Sequence, residues 1–280
     1  MINQDLRAVN GKTIQFPNWS ANNADEPLWG NLHIPDVYGA AHSVQQYPIG
    51  TVFRDDGRTF VYGKWSATTT LKTSGYMVCT VATYKDLSNA VISGAAGANT
   101  VIVNYGGACA VNKYAGGYMG IKGNNYRSFR IISNTVQDAS NYVTFTLDGT
   151  FINACTTTDD VVLMEDPYRE MRWYITLDSR PYIGATVNTV VASYYTWIQT
   201  WGVHMMMSAF GTWEGATGFQ FGIAAYHGSV NALPTSTSGI VANTDVYGAC
   251  QPIGVFAAGT DPSSPADVSI AYPVYLMVRP

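Results

Sequence analysis

Glu165, Asp166, Glu170, Asp178 and Glu214 are the carboxylates that a glycan-cleaving hydrolysis could draw on. That chemistry needs two carboxyl groups held about 5 to 9 Å apart across a scissile bond. In "LMEDPYREM" the Asp166-Pro167 step drives the chain out of regular structure, and adjacent Glu165 and Asp166 project to opposite sides. A second acidic pair, Asp55-Asp56, sits in "RDDGR", where Asp-Gly supplies a hairpin turn and the carboxylates serve backbone hydrogen bonds. The histidines His33, His42, His204 and His227 stand far apart with no ligand spacing, and read as hydrogen-bonding residues. Cys79, Cys109, Cys155 and Cys250 lack any CxxC or Cys/His zinc pattern and read as buried free thiols. Nucleophile elbows, P-loops and zinc-protease helices are missing from the sequence, and the glycines of "GGYMGIKG" have the wrong spacing for a dinucleotide fingerprint. Those glycines read instead as bulges or points of close strand packing. The sequence therefore predicts no catalytic residue, no cofactor and no metal.

The elements around these residues read as strands. "TVFRDDGRTFVY" is a hairpin on Asp56-Gly57, and "NYVTFTLDG" alternates cleanly, with Tyr142, Thr144 and Thr146 on one face and Val143, Phe145 and Leu147 on the other. Further strand-like runs fall at 100–104, 117–121, 129–132, 161–164, 172–177, 185–191, 194–200, 254–257 and 274–278, divided by Gly, Asn and Asp clusters. Turn signals at about every eight to twelve residues are the rhythm of a sandwich or barrel. One segment, "TYKDLSNAVISGAAG", reads as a short helix: Thr83 precedes Asp86 by three, Leu87 and Val91 are four apart, and Gly94 follows as a stop. The expected fold is all-β, an antiparallel β-sandwich or barrel-like domain with at most one or two short helices.

Residues 1–45 differ from the remainder. Pro17, Pro27 and Pro35 punctuate a polar stretch without sustained periodicity, which predicts an extended N-terminal arm anchored by isolated Trp19 and Trp29. Residues 46–280 then form the β-rich domain, with a boundary near 166–182 if it divides into two subdomains. An arm of this composition cannot fold alone, so Trp19, Pro27, Trp29 and Pro35 are the expected interface residues toward a neighbour.

Charged residues make up only 12% of the chain, against roughly 25% in an ordinary soluble domain. The net charge of −4, with no strong basic cluster beyond "KGNNYRSFR", argues against nucleic acid as a partner. The start lacks a signal-peptide pattern and no apolar run is long enough to span a membrane. Nineteen Tyr and seven Trp leave the aromatic stretch "VASYYTWIQTWG" with two readings, a groove for sugars or a covered core strand. The core reading is preferred, with Trp197 and Trp201 buried and Gln199 bonded to neighbouring backbone.

Three segments, in order, carry a resemblance: "YPIGTVFRDDGRTFVYGKW", "YIGATVNTVVASYYTWIQTWG" and "CQPIGVFAAGTDPSSPADVSIAYPVYLMVRP". Together they are similar to the capsid decoration, or cement, proteins and related head structural proteins of tailed bacteriophages. The resemblance implies a virion protein made in the host cytoplasm and bound to the capsid surface, where it clamps adjacent capsomers. Its implied partners are the major capsid protein and further copies of itself as a dimer or trimer, with no role for a membrane. A head-fibre or receptor-binding module for host glycans is the alternative.

Overall fold

The computed structural model describes residues 6–9, 11–17, 35–67, 77–80, 83–123, 127–173, 182–207, 223–226, 229–232, 252–256 and 271–277. Every regular element among them is a strand. In chain order these are β1 (Leu6–Val9), β2 (Lys12–Gln15), β3 (Val52–Asp55), β4 (Arg58–Lys64), β5 (Met77–Thr80), β6 (Tyr84–Leu87), β7 (Val91–Ser93), β8 (Thr100–Asn104), β9 (Tyr118–Lys122) and β10 (Arg127–Asn134). There follow β11 (Tyr142–Leu147), β12 (Asp160–Met164), β13 (Met171–Trp173), β14 (Tyr182–Thr186), β15 (Tyr195–Met207), β16 (Ile223–Tyr226), β17 (Ser229–Ala232), β18 (Pro252–Phe256) and β19 (Ala271–Met277). The expected all-β, antiparallel, sandwich-like class is what the chain adopts. Two compact units result, one of Met1–Asp5, Phe16–Glu26 and Ala82–Arg169, the other of Leu6–Gln15, Pro27–Val81 and Glu170–Pro280.

The first unit is a seven-stranded sheet in the order β6-β12-β9-β10-β11-β8-β7. It folds over itself because two pieces of chain pass from one leaf to the other. On one side β10 pairs with β9 through Arg127 to Arg130 and with β11 from Ile131 onward, with a register shift between Ile131 and Ser133. A bulge of this kind bends a strand and turns a corner between packed sheets. On the other side β6 and β7 are consecutive, and residues 88–90 carry the chain from β12 to β8. Strict alternation aims Val143, Phe145 and Leu147 from β11, Met119 and Ile121 from β9, and Val161 and Leu163 from β12 into one shared core. Burying each such side chain is worth about 1.5–3 kcal/mol.

The helix expected over "TYKDLSNAVIS" is not formed; β6, a corner and β7 stand in its place. Leu87 and Val91 do both face the core, which is why they imitated one helical face, but they do so from opposite sides of a bend. Asn89 sits there in the left-handed region at φ 49, with its N–H donating to Asp160 Oδ1 at 2.9 Å. Asn tolerates that conformation better than most residues, and a helix cannot pass through it.

The second unit is a twelve-stranded sheet whose main path runs β1-β2-β3-β4-β15-β19-β18-β16-β17, with β14 pairing β15 and β5, and β5 pairing β13. The hairpin expected at Asp56-Gly57 is present, with φ 48 and 73 at the two turn residues, and Lys12 Nζ reaches Asp55 Oδ2 at 3.0 Å. Part of the expected arm is regular structure instead: β1 and β2 form a hairpin, and β2 pairs with β3 through Thr13↔Arg54 to Gln15↔Val52. Its cue was the Asn10-Gly11 dipeptide, a favoured tight turn between β-formers, with Gly11 at φ 76. At the centre, β4 and β15 pair from Tyr195↔Lys64 to Trp201↔Thr59, and Phe60, Val61 and Tyr62 of β4 are all fully buried, so both of its faces are covered.

Candidate functional site

The aromatic stretch is core. Trp197 is 2% exposed, and its ring lies 5.1 Å from Tyr62, 5.2 Å from Tyr47 and 6.1 Å from Phe53 in edge-on or tilted packing. Tyr62 receives a hydrogen bond on its hydroxyl from the Gln46 N–H at 3.1 Å, and burial pushes its pKa upward. Gln199 is fully buried and its Nε2 donates to the backbone oxygens of Trp201 and Val203, so the expected backbone bonding is made within its own strand. Trp201 departs from expectation, being only half-buried. A register shift between Gln199 and Trp201 takes up Thr200 as an extra residue, which disturbs the strict alternation assumed for the strand. A sugar groove on the Tyr195, Trp197 and Gln199 face is thereby filled by the protein's own rings.

Several ionisable groups within the described residues are tied into the frame. Lys85 Nζ donates to the Tyr105 carbonyl at 2.8 Å and stands 3.6 Å from the centre of its ring, while the Tyr105 and Tyr114 hydroxyls share a hydrogen bond of 2.8 Å. Lys113 lies 3.6 Å from Glu165, and although burial alone would lower its pKa, Tyr105 and Glu165 hold it above the usual range. Burial raises the pKa of the Cys109 thiol and, reinforced by the bond to Tyr105, that of Tyr114, so each stays in its less reactive, protonated form. Glu170 accepts a hydrogen bond from the Ser66 hydroxyl at 2.8 Å. Asp178 and Glu214 lie outside the described residues, as do His33, His227 and Cys250; Cys79, Cys109 and Cys155 are buried and form no disulfide. Among the described residues no group of His, Cys, Asp and Glu is arranged to hold a metal ion, and no helix is long and apolar enough to cross a membrane.

Asp166 and His204 give the two units opposite responses to pH. Asp166 is 1% exposed, accepts from the Tyr168 N–H at 2.9 Å, and is pushed by burial from 3.8 up to about 6. A carboxyl that binds its proton more tightly when folded stabilises the fold most at low pH, and this contribution is lost as pH rises through about 6. It amounts to about 3 kcal/mol. Asp166→Asn keeps the acceptor and removes the ionisation, so the denaturation midpoint of the first unit should stop falling between pH 4 and 6.5 in that variant. His204, whose ring bonds the Thr186 carbonyl at 3.0 Å, is lowered by burial to about 4. Its neutral form is favoured in the fold, so its contribution is present above pH 6.5 and is lost as pH falls toward 4.

Among the exposed side chains are several large apolar and aromatic ones. On the outer face of β6, β12, β9 and β10, Tyr84 is 77% exposed, and Tyr118 and Val162 are each 40% exposed. The strand register sets Tyr84, Met164, Tyr118 and Arg130 in one row across the leaf, and Asp86, Val162, Gly120 and Ser128 in the next. Arg130 lies over the Tyr118 ring at 5.3 Å, and Lys122 meets Asp160 at 3.7 Å. Composition announced many aromatic residues; only the pairing register shows which of them share an open face. Of the interface residues expected from sequence, Trp19, Pro27 and Trp29 lie outside the described residues, while Pro35 is described and buried. Compared with family models, characterised proteins and solved structures, the chain matches none.

Proposed function

We propose that this chain is a virion structural protein that binds the outside of an icosahedral phage capsid and cements adjacent capsomers, with the major capsid protein as its partner. The observation that supports this reading is a sparsely charged β frame on which large apolar side chains stand exposed on the strands. In addition to Tyr84, Tyr118 and Val162, Val203 and Met205 of β15 are 47% and 52% exposed. A sparsely charged surface with standing apolar groups is suited to coverage by a partner. Attachment at symmetry-related positions lets modest single contacts add up, because each bound neighbour raises the effective concentration of the next.

The test is to mix the purified chain with purified expanded shells and reconstruct the particle. Copies at symmetry-related positions over the whole shell are the expected result. Absence from the shell, occupancy of one vertex alone, or glycan-array binding without shell binding would each reject the reading. Replacing Trp19 and Trp29 with serine should lower occupancy and leave the denaturation midpoint in place. This is a cleaner probe than deleting residues 1–40, which would remove the β1–β2 hairpin from the edge of the sheet.

A further inference from the structure

We infer that the outer face of β6, β12, β9 and β10 is a self-association surface, on which a second copy of this chain seats about a two-fold axis parallel to the strands. The inference does not depend on what the chain decorates, and it assigns to the expected homo-oligomer a surface and a symmetry.

The argument rests on which residues occupy which strand. The acidic groups Asp86 and Asp160 lie on the β6 and β12 half, together with the exposed side chains of Tyr84 and Val162. The basic groups Lys122 and Arg130 lie on the β9 and β10 half, together with Ser128, Tyr118 and the side-chain-free Gly120. A two-fold axis running between β12 and β9 turns each half onto the other and leaves the rows in step. Tyr84 of one copy then comes over Arg130 of the other, the arrangement in which a guanidinium is attracted to a ring face. Met164 meets Tyr118, a favourable sulfur–aromatic pairing. Asp160 faces Lys122, and Asp86 faces the Ser128 hydroxyl.

Val162 meets Gly120, the one position in these rows without a side chain. A Cβ built on Gly120 would find only Val162 of its own chain, at 3.9 Å, so the space above the glycine is open. Each copy thus offers one projection and one recess, and the axis brings both pairs together. The alternative axis, across the strands, would set β6 on β6 and bring Asp86 near its own counterpart, which like charges oppose. An isologous contact requires that residue i meet j while j meets i, and the strand-parallel axis satisfies this in all three rows.

The face is small. Four strands at about 4.8 Å and five residues at about 3.4 Å give roughly 300 Å² in projection, below the roughly 800 Å² per partner of a standard stable interface. The dimer is therefore expected to be weak in dilute solution and to fill where the local concentration is high.

Sedimentation velocity over a wide range of concentrations of the full chain tests the geometry. Wild type should show a reversible monomer–dimer equilibrium. Tyr84→Lys sets two cations together and should weaken it about tenfold or more, whereas Tyr84→Glu creates an ion pair with Arg130 and should keep it. Gly120→Val fills the recess and should weaken it about tenfold or more, and adding Val162→Ala to that variant should restore much of the loss by exchanging projection and recess. All four substitutions lie on exposed or open positions, and unchanged circular dichroism confirms that each variant folds. Wild type that is monomeric up to its solubility limit overturns the inference. So does association that all variants share equally, or Tyr84→Glu acting as severely as Tyr84→Lys, which would mark a merely greasy patch. A face that stays monomeric and is instead occupied by an added oligosaccharide or by the shell also overturns it.

Discussion

Gly117→Ala is expected to destabilise the seven-stranded unit by about 3 kcal/mol or more, because no rearrangement of side chains can make room. A Cβ at this position would stand 2.0 Å from the Met164 carbonyl oxygen and 2.9 Å from the Glu165 carbonyl carbon. Both atoms are main chain at the end of β12, where it pairs with the start of β9 through Met164↔Tyr118. Separating them breaks the pairing that places Met119, Ile121, Val161 and Leu163 in the core. Urea denaturation of the full chain measures the effect. Gly149→Ala provides the comparison, since its Cβ would find only the Phe129 ring at 3.4 Å, an ordinary contact, and should change stability by less than about 1 kcal/mol. Equal midpoints for the two variants would refute the steric account.

Trp197→Ala should cost the second unit about 3–5 kcal/mol. Its ring is the hub at which Tyr47, Phe53 and Tyr62 meet, all within 6.1 Å, and the stretch of strand around it, Thr196 to Thr200, is buried on both faces. Nothing else in that cluster is free to move in, because Phe53 and Phe60 are packed against each other at 6.2 Å. Trp201→Ala removes a ring of the same size from a half-buried position and should cost clearly less in the same denaturation experiment. A Trp197→Ala protein as stable as wild type would mean that the aromatic face is an accessible groove after all.

Local cues in the sequence carried much of this architecture. Asp56-Gly57 announced the β3–β4 hairpin because two successive positive φ angles leave few residue choices, and the alternation of "NYVTFTLDG" announced β11 because a half-buried strand has a period of two. Where reading failed, the deciding force was tertiary. Leu87 and Val91 have helical spacing, yet a bend at Asn89 accounts for it equally well, and only the partners β12 and β8 decide between them. Trp201 went astray by a single residue, because a bulge that sequence does not announce shifts every position after it. Asn10-Gly11 is a legible turn signal that the reading of residues 1–45 as one arm leaves out. The open tyrosine face was illegible for a different reason: Tyr84, Tyr118 and Met164 are remote in sequence and become neighbours only through strand pairing.

Chain order also sets the timetable on which this molecule must be made. The stretch from Ala82 to Arg169 holds every strand of the seven-stranded sheet, so that sheet can close as soon as Arg169 has left the ribosome. The strand β4 emerges earlier but must wait for Tyr195 to Trp201 before its other edge is paired. At about 5–20 residues per second, the waiting time is of the order of ten seconds, during which an apolar, fully β-forming strand has an unclaimed edge. Nascent chains would therefore be most vulnerable to aggregation in that interval, and slowing synthesis between Lys64 and Tyr195 should lower the yield of folded protein more than slowing it before Arg58.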